Sequence, residues 1–173
     1  MNATDFEFCP FTETLVVLLH RWLQEPHVRA FWDDGHRTLE QVRSHYFRPR
    51  SVEQYLGLYQ KTPIAYIQAT LIESKDPLAK FCPPHKETYG VDFFTGEKDF
   101  IGKKLSVPLL QAFAHFLVEK HPNCQALLFD PSENNPRAIH IYSKLGALPV
   151  GLYDKKEIQL WELPRVKSSA FRK

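Results

Sequence analysis

Between Tyr89 and Gly146 the chain twice reads as a strand followed by a helix, an order that neither an all-helical nor an all-strand fold accommodates. Tyr89, Val91 and Phe93 alternate with Gly90, Asp92 and Phe94, the period of a strand, and this puts Asp92 on the face opposite Val91. One carboxylate thus projects from an otherwise apolar strand. After a turn around Gly96, Leu109, Ala112, Phe113, Phe116 and Leu117 form one helical stripe, and Pro108 fits only in its first turn, which starts the helix close behind Gly102. Ala126 to Phe129 reads as a short buried strand. Asn135 followed by Pro136 is an N-cap with proline at the first helical position, opening a helix that Gly146 ends.

The flanking segments extend this pattern. Leu15, Leu18, Leu19, Trp22 and Leu23 form the stripe of a helix that ends before Pro26. Thr38 with Gln41 is a capping box for a second helix, Leu39 to Phe47, closed by Pro49. Gln54 to Tyr59 and Ile64 to Ile72, separated by Gln60 to Pro63, read as a β-hairpin. Glu73 to Glu87, with three prolines, is a long loop of the kind that is functional or mobile. Leu148 to Tyr153 and Glu157 to Leu163 form a final hairpin. The expected fold is a mixed α/β sheet with helices on its faces, in one domain over 1–164. Residues 165–173 are expected to be a basic, flexible, solubilising tail.

Composition narrows the function classes. In 173 residues, Lys plus Arg is 22 and Asp plus Glu is 20, and a net charge of +2 creates no field that attracts nucleic acid or an anionic membrane. Cys9, Cys82 and Cys124 are odd in number and far apart, which argues against a disulfide framework and for a reducing, cytoplasmic location. The acidic first residues do not fit a signal peptide, and the longest apolar run, Leu15 to Leu19, is too short to span a bilayer. The histidines hold no HExxH pair, so no metal is expected. Serine-hydrolase and Gly-Lys-Ser/Thr phosphate-loop motifs are absent from the sequence.

Two segments of the second half resemble the GCN5-related N-acetyltransferase (GNAT) superfamily. Ile101-Gly102-Lys103-Lys104-Leu105-Ser106 is similar to its pyrophosphate loop, with Ile101 where Arg or Gln is usual, Lys104 in place of a glycine and Ser106 in place of the final Gly or Ala. Asn135-Pro136-Arg137-Ala138 through Tyr142, Lys144 and Gly146 is similar to the family's Asn-x-x-Ala-x-x-x-Tyr-x-Lys-x-Gly helix at every named position. Within the superfamily the chain most resembles aminoglycoside 6'-N-acetyltransferases and the siderophore-precursor acyltransferases. Leu19 to Leu23, His27 and Phe31-Trp32 are similar to both groups. Gly90-Val91-Asp92 is similar to the aminoglycoside group, whereas Phe94 to Gly102 is closer to the siderophore group.

The resemblance implies a mainly antiparallel sheet whose strands splay to form an acyl-CoA cleft. It also implies an enzyme, acting as monomer or homodimer without metal, that moves an acetyl group from acetyl-CoA to a primary amine. An aminoglycoside-like 6'-amine, and with it antibiotic resistance, is the first reading. A hydroxylysine acyltransferase and a non-catalytic acyl-CoA-binding domain are the alternatives. Phe94, Thr95, Ile101, Gly102, Lys103, Lys104, Leu105, Ser106, Asn135, Ala138 and Lys144 would contact the cofactor, its diphosphate sitting on backbone N–H groups at a helix N-terminus. Asp92, with Asp130, would take the amine's proton, and Tyr142 would protonate the departing thiolate. Trp32, Tyr46 and Gln68 would line the amine pocket, with Asp33, Asp34 and Asp92 making it attractive to a polycation. Capping alone also explains Asn135, and core packing also explains the aromatics.

Overall fold

The computed structural model describes residues 5–33, 35–49 and 51–164. The basic tail expected at 165–173, and Asp34, lie outside them. Seven strands form one sheet: β1 (Phe6–Pro10), β2 (Glu53–Tyr59), β3 (Thr62–Leu71), β4 (Glu87–Thr95), β5 (Cys124–Phe129), β6 (Leu148–Tyr153) and β7 (Lys156–Glu162), in the spatial order β1-β2-β3-β4-β5-β7-β6. Every neighbouring pair is antiparallel except β4 and β5, which run parallel. The helices are α1 (Val16–Leu23), α2 (Pro26–Arg29), α3 (Leu39–Tyr46), α4 (Ser106–Lys120) and α5 (Pro136–Leu145).

Strand alternation divides the core into two. On β3, Ala65, Ile67 and Ala69 face one way and join Leu109, Phe113 and Leu117 of α4 and Tyr142 and Leu145 of α5. Tyr66 faces the other way, into an aromatic cluster with Leu19 and Trp22 of α1, Val42 and Tyr46 of α3, and Phe94. α1 ends before Pro26, α3 before Pro49 and α5 at Gly146, as expected, whereas the short α2 has no counterpart in the sequence reading. The Thr38 hydroxyl accepts from Gln41 N–H at 3.3 Å while the Gln41 side chain accepts from Thr38 N–H at 2.8 Å, so both halves of the capping box form. Pro108 falls in the first turn of α4, which begins at Ser106.

Three local features were not legible. The opening strand β1 carries no pattern that separates it from a helix, and it is held as an edge strand by pairing with β2. The first hairpin turns on Gln60 and Lys61 alone, with φ of 48° and 67°, and Pro63 lies inside β3. Two left-handed residues match the twist of the strands they join, which outweighs the absence of Asn or Gly. The long loop after β3 holds a 3₁₀ turn, Pro77–Phe81, capped by the Asp76 carboxylate accepting from Leu78 N–H at 2.8 Å.

The turn after β4 is wedged against α1. A Cβ on Gly96 would overlap the indole of Trp22, which is only 1% exposed. Overpacking of a rigid buried ring costs roughly 1–3 kcal/mol. Gly96→Ala is therefore expected to lower the unfolding free energy by that amount, read as a lower urea midpoint with an unchanged slope. An unaltered midpoint would show that the indole yields freely.

Candidate functional site

The parallel ladder between β4 and β5 stops at Gly90 opposite Leu128, while β4 runs on to Thr95 paired only with β3. Beyond that point the two strands part, and a cleft of about 460 Å³ opens between them. Asp92 and Asp130 each lie two residues past the last rung of the β4–β5 ladder, and both line this cleft. Lys156 Nζ, from the start of β7, donates to Asp130 Oδ2 at 2.5 Å.

Asp92 is reached by solvent from the cleft mouth, yet protein groups crowd its carboxyl from the other sides. That desolvation, the charge of Asp130 and a hydrogen bond shared with it push the Asp92 carboxyl up to about 7, against a smaller downward pull from Lys156. A buried acid beside another carboxylate gives up its proton reluctantly, so Asp92 is poised to exchange a proton near neutrality. Lys156 titrates above its ordinary value because, although burial lowers it, its bond to Asp130 and the charges of Asp130, Asp92 and Asp154 outweigh that cost.

Tyr142 reaches the same gap from the opposite face of the sheet. Its helix starts where the Asn135 side chain accepts from Ala138 N–H at 3.1 Å and ends at Gly146, where φ is +94°. The ring stacks on Phe129 with centroids 4.1 Å apart and planes 14° from parallel. Burial first, then the charges of Asp92 and Asp130, push the phenol far above its usual range, so it keeps its proton at neutral pH.

The wall facing α5 comes from α2 and the residues after it. His27 Nε2 meets the Thr95 carbonyl at 2.8 Å and ties that segment to the end of β4. Phe31, 57% exposed, and Trp32 then line the mouth. Gln68, opposite Asp92 in register, lines the floor and donates to the Tyr66 hydroxyl at 2.7 Å.

Tyr46 does not line the cleft. It is 3% exposed in the aromatic core, and its hydroxyl accepts from Trp32 Nε1 at 2.9 Å, so it braces the wall from behind. Asp33 is also turned away: it is 7% exposed, ion-paired to Arg37, and accepts from Gly35 N–H at 3.0 Å. The expected cluster of three carboxylates around one aromatic pocket is therefore not assembled, because a buried Asp next to an available guanidinium pairs locally.

Phe94, Thr95, Ile101, Ser106, Asn135 and Ala138 line the cleft. Gly102 and Lys104 adopt φ of 77° and 59°, so the turn before α4 is left-handed twice. A Cβ on Gly102 would meet nothing within 4 Å, so backbone conformation, not space, calls for glycine there. Lys104 holds without a glycine a conformation that costs an L residue roughly 1–2 kcal/mol. Lys103 Nζ sits 5.0 Å from the Phe100 ring centroid. Leu105, 6% exposed, belongs to the core, and Lys144 is exposed on α5 away from the cleft lining. No group of three or more metal-ligating side chains occurs among the described residues. No helix among them is long and apolar enough to cross a membrane.

Arg137, Lys156 and the tie made by His27 were not foreseen. Arg137 lines the cleft without an ion-pair partner among the described residues. Lys156 lies 64 residues beyond Asp92 at the start of β7, where nothing in the sequence pattern links it to a strand in the centre of the sheet.

The fold that carries this cleft is shared with proteins of known structure to which this chain is similar. The structure of the aminoglycoside acetyltransferase AAC(6')-Ib in complex with paromomycin and acetyl-CoA superposes with a TM-score of 0.81 at 23% identity, covering 96% of this chain and 99% of that one. An aminoglycoside N(6')-acetyltransferase from Legionella pneumophila superposes at 0.70 with 21% identity, covering 90% and 91%. The lysine N-acyltransferase MbtK of Mycobacterium sp. (strain MCS) is 22% identical over 162 residues, 88% of this chain, and the match spans 64% of that protein's length. The profile of the acetyltransferase (GNAT) domain matches residues 12–166, and the chain belongs to the GNAT acetyltransferase family.

Proposed function

We propose that this protein is an acetyl-CoA-dependent N-acetyltransferase acting on a primary amine of a cationic small molecule, an aminoglycoside-like 6'-amine in the first instance. The observation that carries the reading is the Asp92–Asp130 pair set across one cleft from the protonated Tyr142. An amine arrives at neutral pH as an ammonium and must lose a proton before it can attack, and a carboxyl titrating near 7 is matched to that task.

The chain's own groups fit the co-substrate. Beyond Gly90, the edge of β4 that faces the gap has no strand partner, leaving main-chain polar groups open to an extended pantetheine arm. The N-terminus of the 15-residue α4, with the left-handed turn at Gly102 and Lys104 before it, offers N–H groups and two lysines to a diphosphate. Bound there, acetyl-CoA supplies the thioester carbonyl and the sulfur leaving group. Asp92, in its ionised form, takes one proton from the substrate ammonium. The amine nitrogen then forms its bond to the carbonyl carbon as the carbon–sulfur bond breaks. Tyr142 gives its proton to the departing sulfur and recovers one from the new amide nitrogen, so one proton per turnover reaches solvent through the acid pair.

A second reading, an amino-acid amine of the hydroxylysine type, draws support from Arg137 on the cleft wall, which suits a substrate carboxylate. Neutralisation of Asp33 by Arg37 also removes one of the charges that would favour a polycation. The third reading, a binding domain without catalysis, is left only if the lysine in the turn prevents productive binding.

Calorimetry is expected to show coenzyme A binding, and absence of heat at millimolar cofactor would end the enzyme reading. Asp92→Asn should lower kcat/KM on the order of 10²-fold with cofactor affinity kept. Tyr142→Phe should lower kcat by a similar order; equal turnover would remove Tyr142 from the chemistry. Because Asp92 must be ionised to accept a proton, kcat/KM should fall as pH drops below about 7. In a thiol-release assay a kanamycin-type amine should outrun hydroxylated lysine, and the reverse order would move the assignment to the amino-acid substrate.

A further inference from the structure

The end of the chain sends a cation into the cleft, and three main-chain ties decide where it goes. The hairpin between β6 and β7 turns on Asp154 and Lys155, both left-handed at φ of 49° and 59°. Immediately after the turn, Glu133 N–H donates to the Lys155 carbonyl at 2.9 Å, Lys156 bridges to Ser132, and Glu157 N–H donates to the Pro131 carbonyl at 2.9 Å. Residues 155–157 are thereby stitched to 131–133, the segment directly following Asp130. A flexible lysine on an untethered turn would spread over many rotamers. Here the backbone on both sides of the ion pair is held, and the Lys156 ammonium reaches Asp130 at 2.5 Å.

Resting on the acetyltransferase reading, we propose that Lys156 is a positioning residue for the acid pair: its tethered ammonium holds the Asp130 carboxylate in place and leaves Asp92 as the carboxyl that meets the substrate amine. Two adjacent carboxyls resist simultaneous ionisation, and with nothing to distinguish them either can hold the proton. A cation bonded to one of them breaks that symmetry. The charged and titratable groups that meet here are Asp92 on β4, Asp130 after β5, Lys156 on β7, Arg137 and Tyr142 on α5, His27 on α2, and Asp154 in the turn beside Lys156. Tyr142 stays neutral, so it does not compete for the role. Of the cations, Lys156 is the one bonded to the pair. It also bears on Asp92 in the right direction, favouring its ionised form.

The test compares Lys156→Met with Lys156→Arg. Loss of the cation removes a downward pull on Asp92, so the acid limb of kcat/KM should move to higher pH in Lys156→Met. Because the lysine is nearly half exposed, the shift should be roughly half a unit to one unit, a loss of about threefold to tenfold on the acid side with recovery at high pH. Lys156→Arg keeps the charge and should restore the limb. A uniform loss across pH, or a limb that stays in place in Lys156→Met, would reduce Lys156 to a structural tie and overturn the proposal. Carboxyl 13C titration of Asp92 and Asp130, assigned with Asp92→Asn and Asp130→Asn, reads the same shift without turnover. It decides the role of Lys156 even if no amine is acetylated, a result that would refute the enzymatic reading alone. Unshifted carboxyl titration in a Lys156→Met protein that melts like the parent would likewise overturn it.

Discussion

The parting of β4 from β5 after Gly90 and Leu128 is the constraint on which the site depends. A continuous parallel ladder would bury the main-chain groups of β4 and press Asp92 and Asp130 into a closed sheet, where neither carboxylate could be tolerated without a partner. Parting leaves β4 supported by β3 alone from Val91 to Thr95, with its other edge facing an open cleft. The same opening lets two faces of the sheet contribute to one volume. Asp92 comes from the face packed by α1 and α3, and Tyr142 comes from the face packed by α4 and α5.

Each wall is rigid because its core is packed independently. Trp32 stands edge-on to Phe94 at 4.9 Å and to Tyr66 at 5.9 Å, and is hydrogen-bonded from behind by Tyr46. Tyr142 is held by Phe129 and, edge-on, by Phe93 at 6.3 Å. Groups held in this way keep a fixed separation, which is what a preorganised site requires. The far end of the sheet serves the same purpose, since the β6–β7 hairpin is fastened to the loop carrying Asp130.

Much of this was legible from residue order. The alternation around Asp92 located β4, and the Asn135-Pro136 cap with Gly146 located α5, because both signals depend on residues adjacent in sequence. Asp92, Asp130, Tyr142, Gln68 and Trp32 do gather at one cleft. Tyr46 was misplaced because an aromatic in an amphipathic helix has the same signature whether it lines a pocket or braces the residue that does. Asp33 was misplaced because its neutralisation depends on the rotamer of Arg37, which no periodicity encodes.

Local chemistry therefore marked most of the elements and their caps, the family resemblance, and Asp92, Asp130 and Tyr142 as the residues that meet at the cleft. Tertiary structure alone decided which carboxylates meet at the cleft, which are already ion-paired elsewhere, and that a lysine from the last hairpin stands beside Asp130. The physical reason is range: propensity and capping act over a few neighbouring residues, whereas charge and desolvation act across whatever the fold brings within a few ångströms.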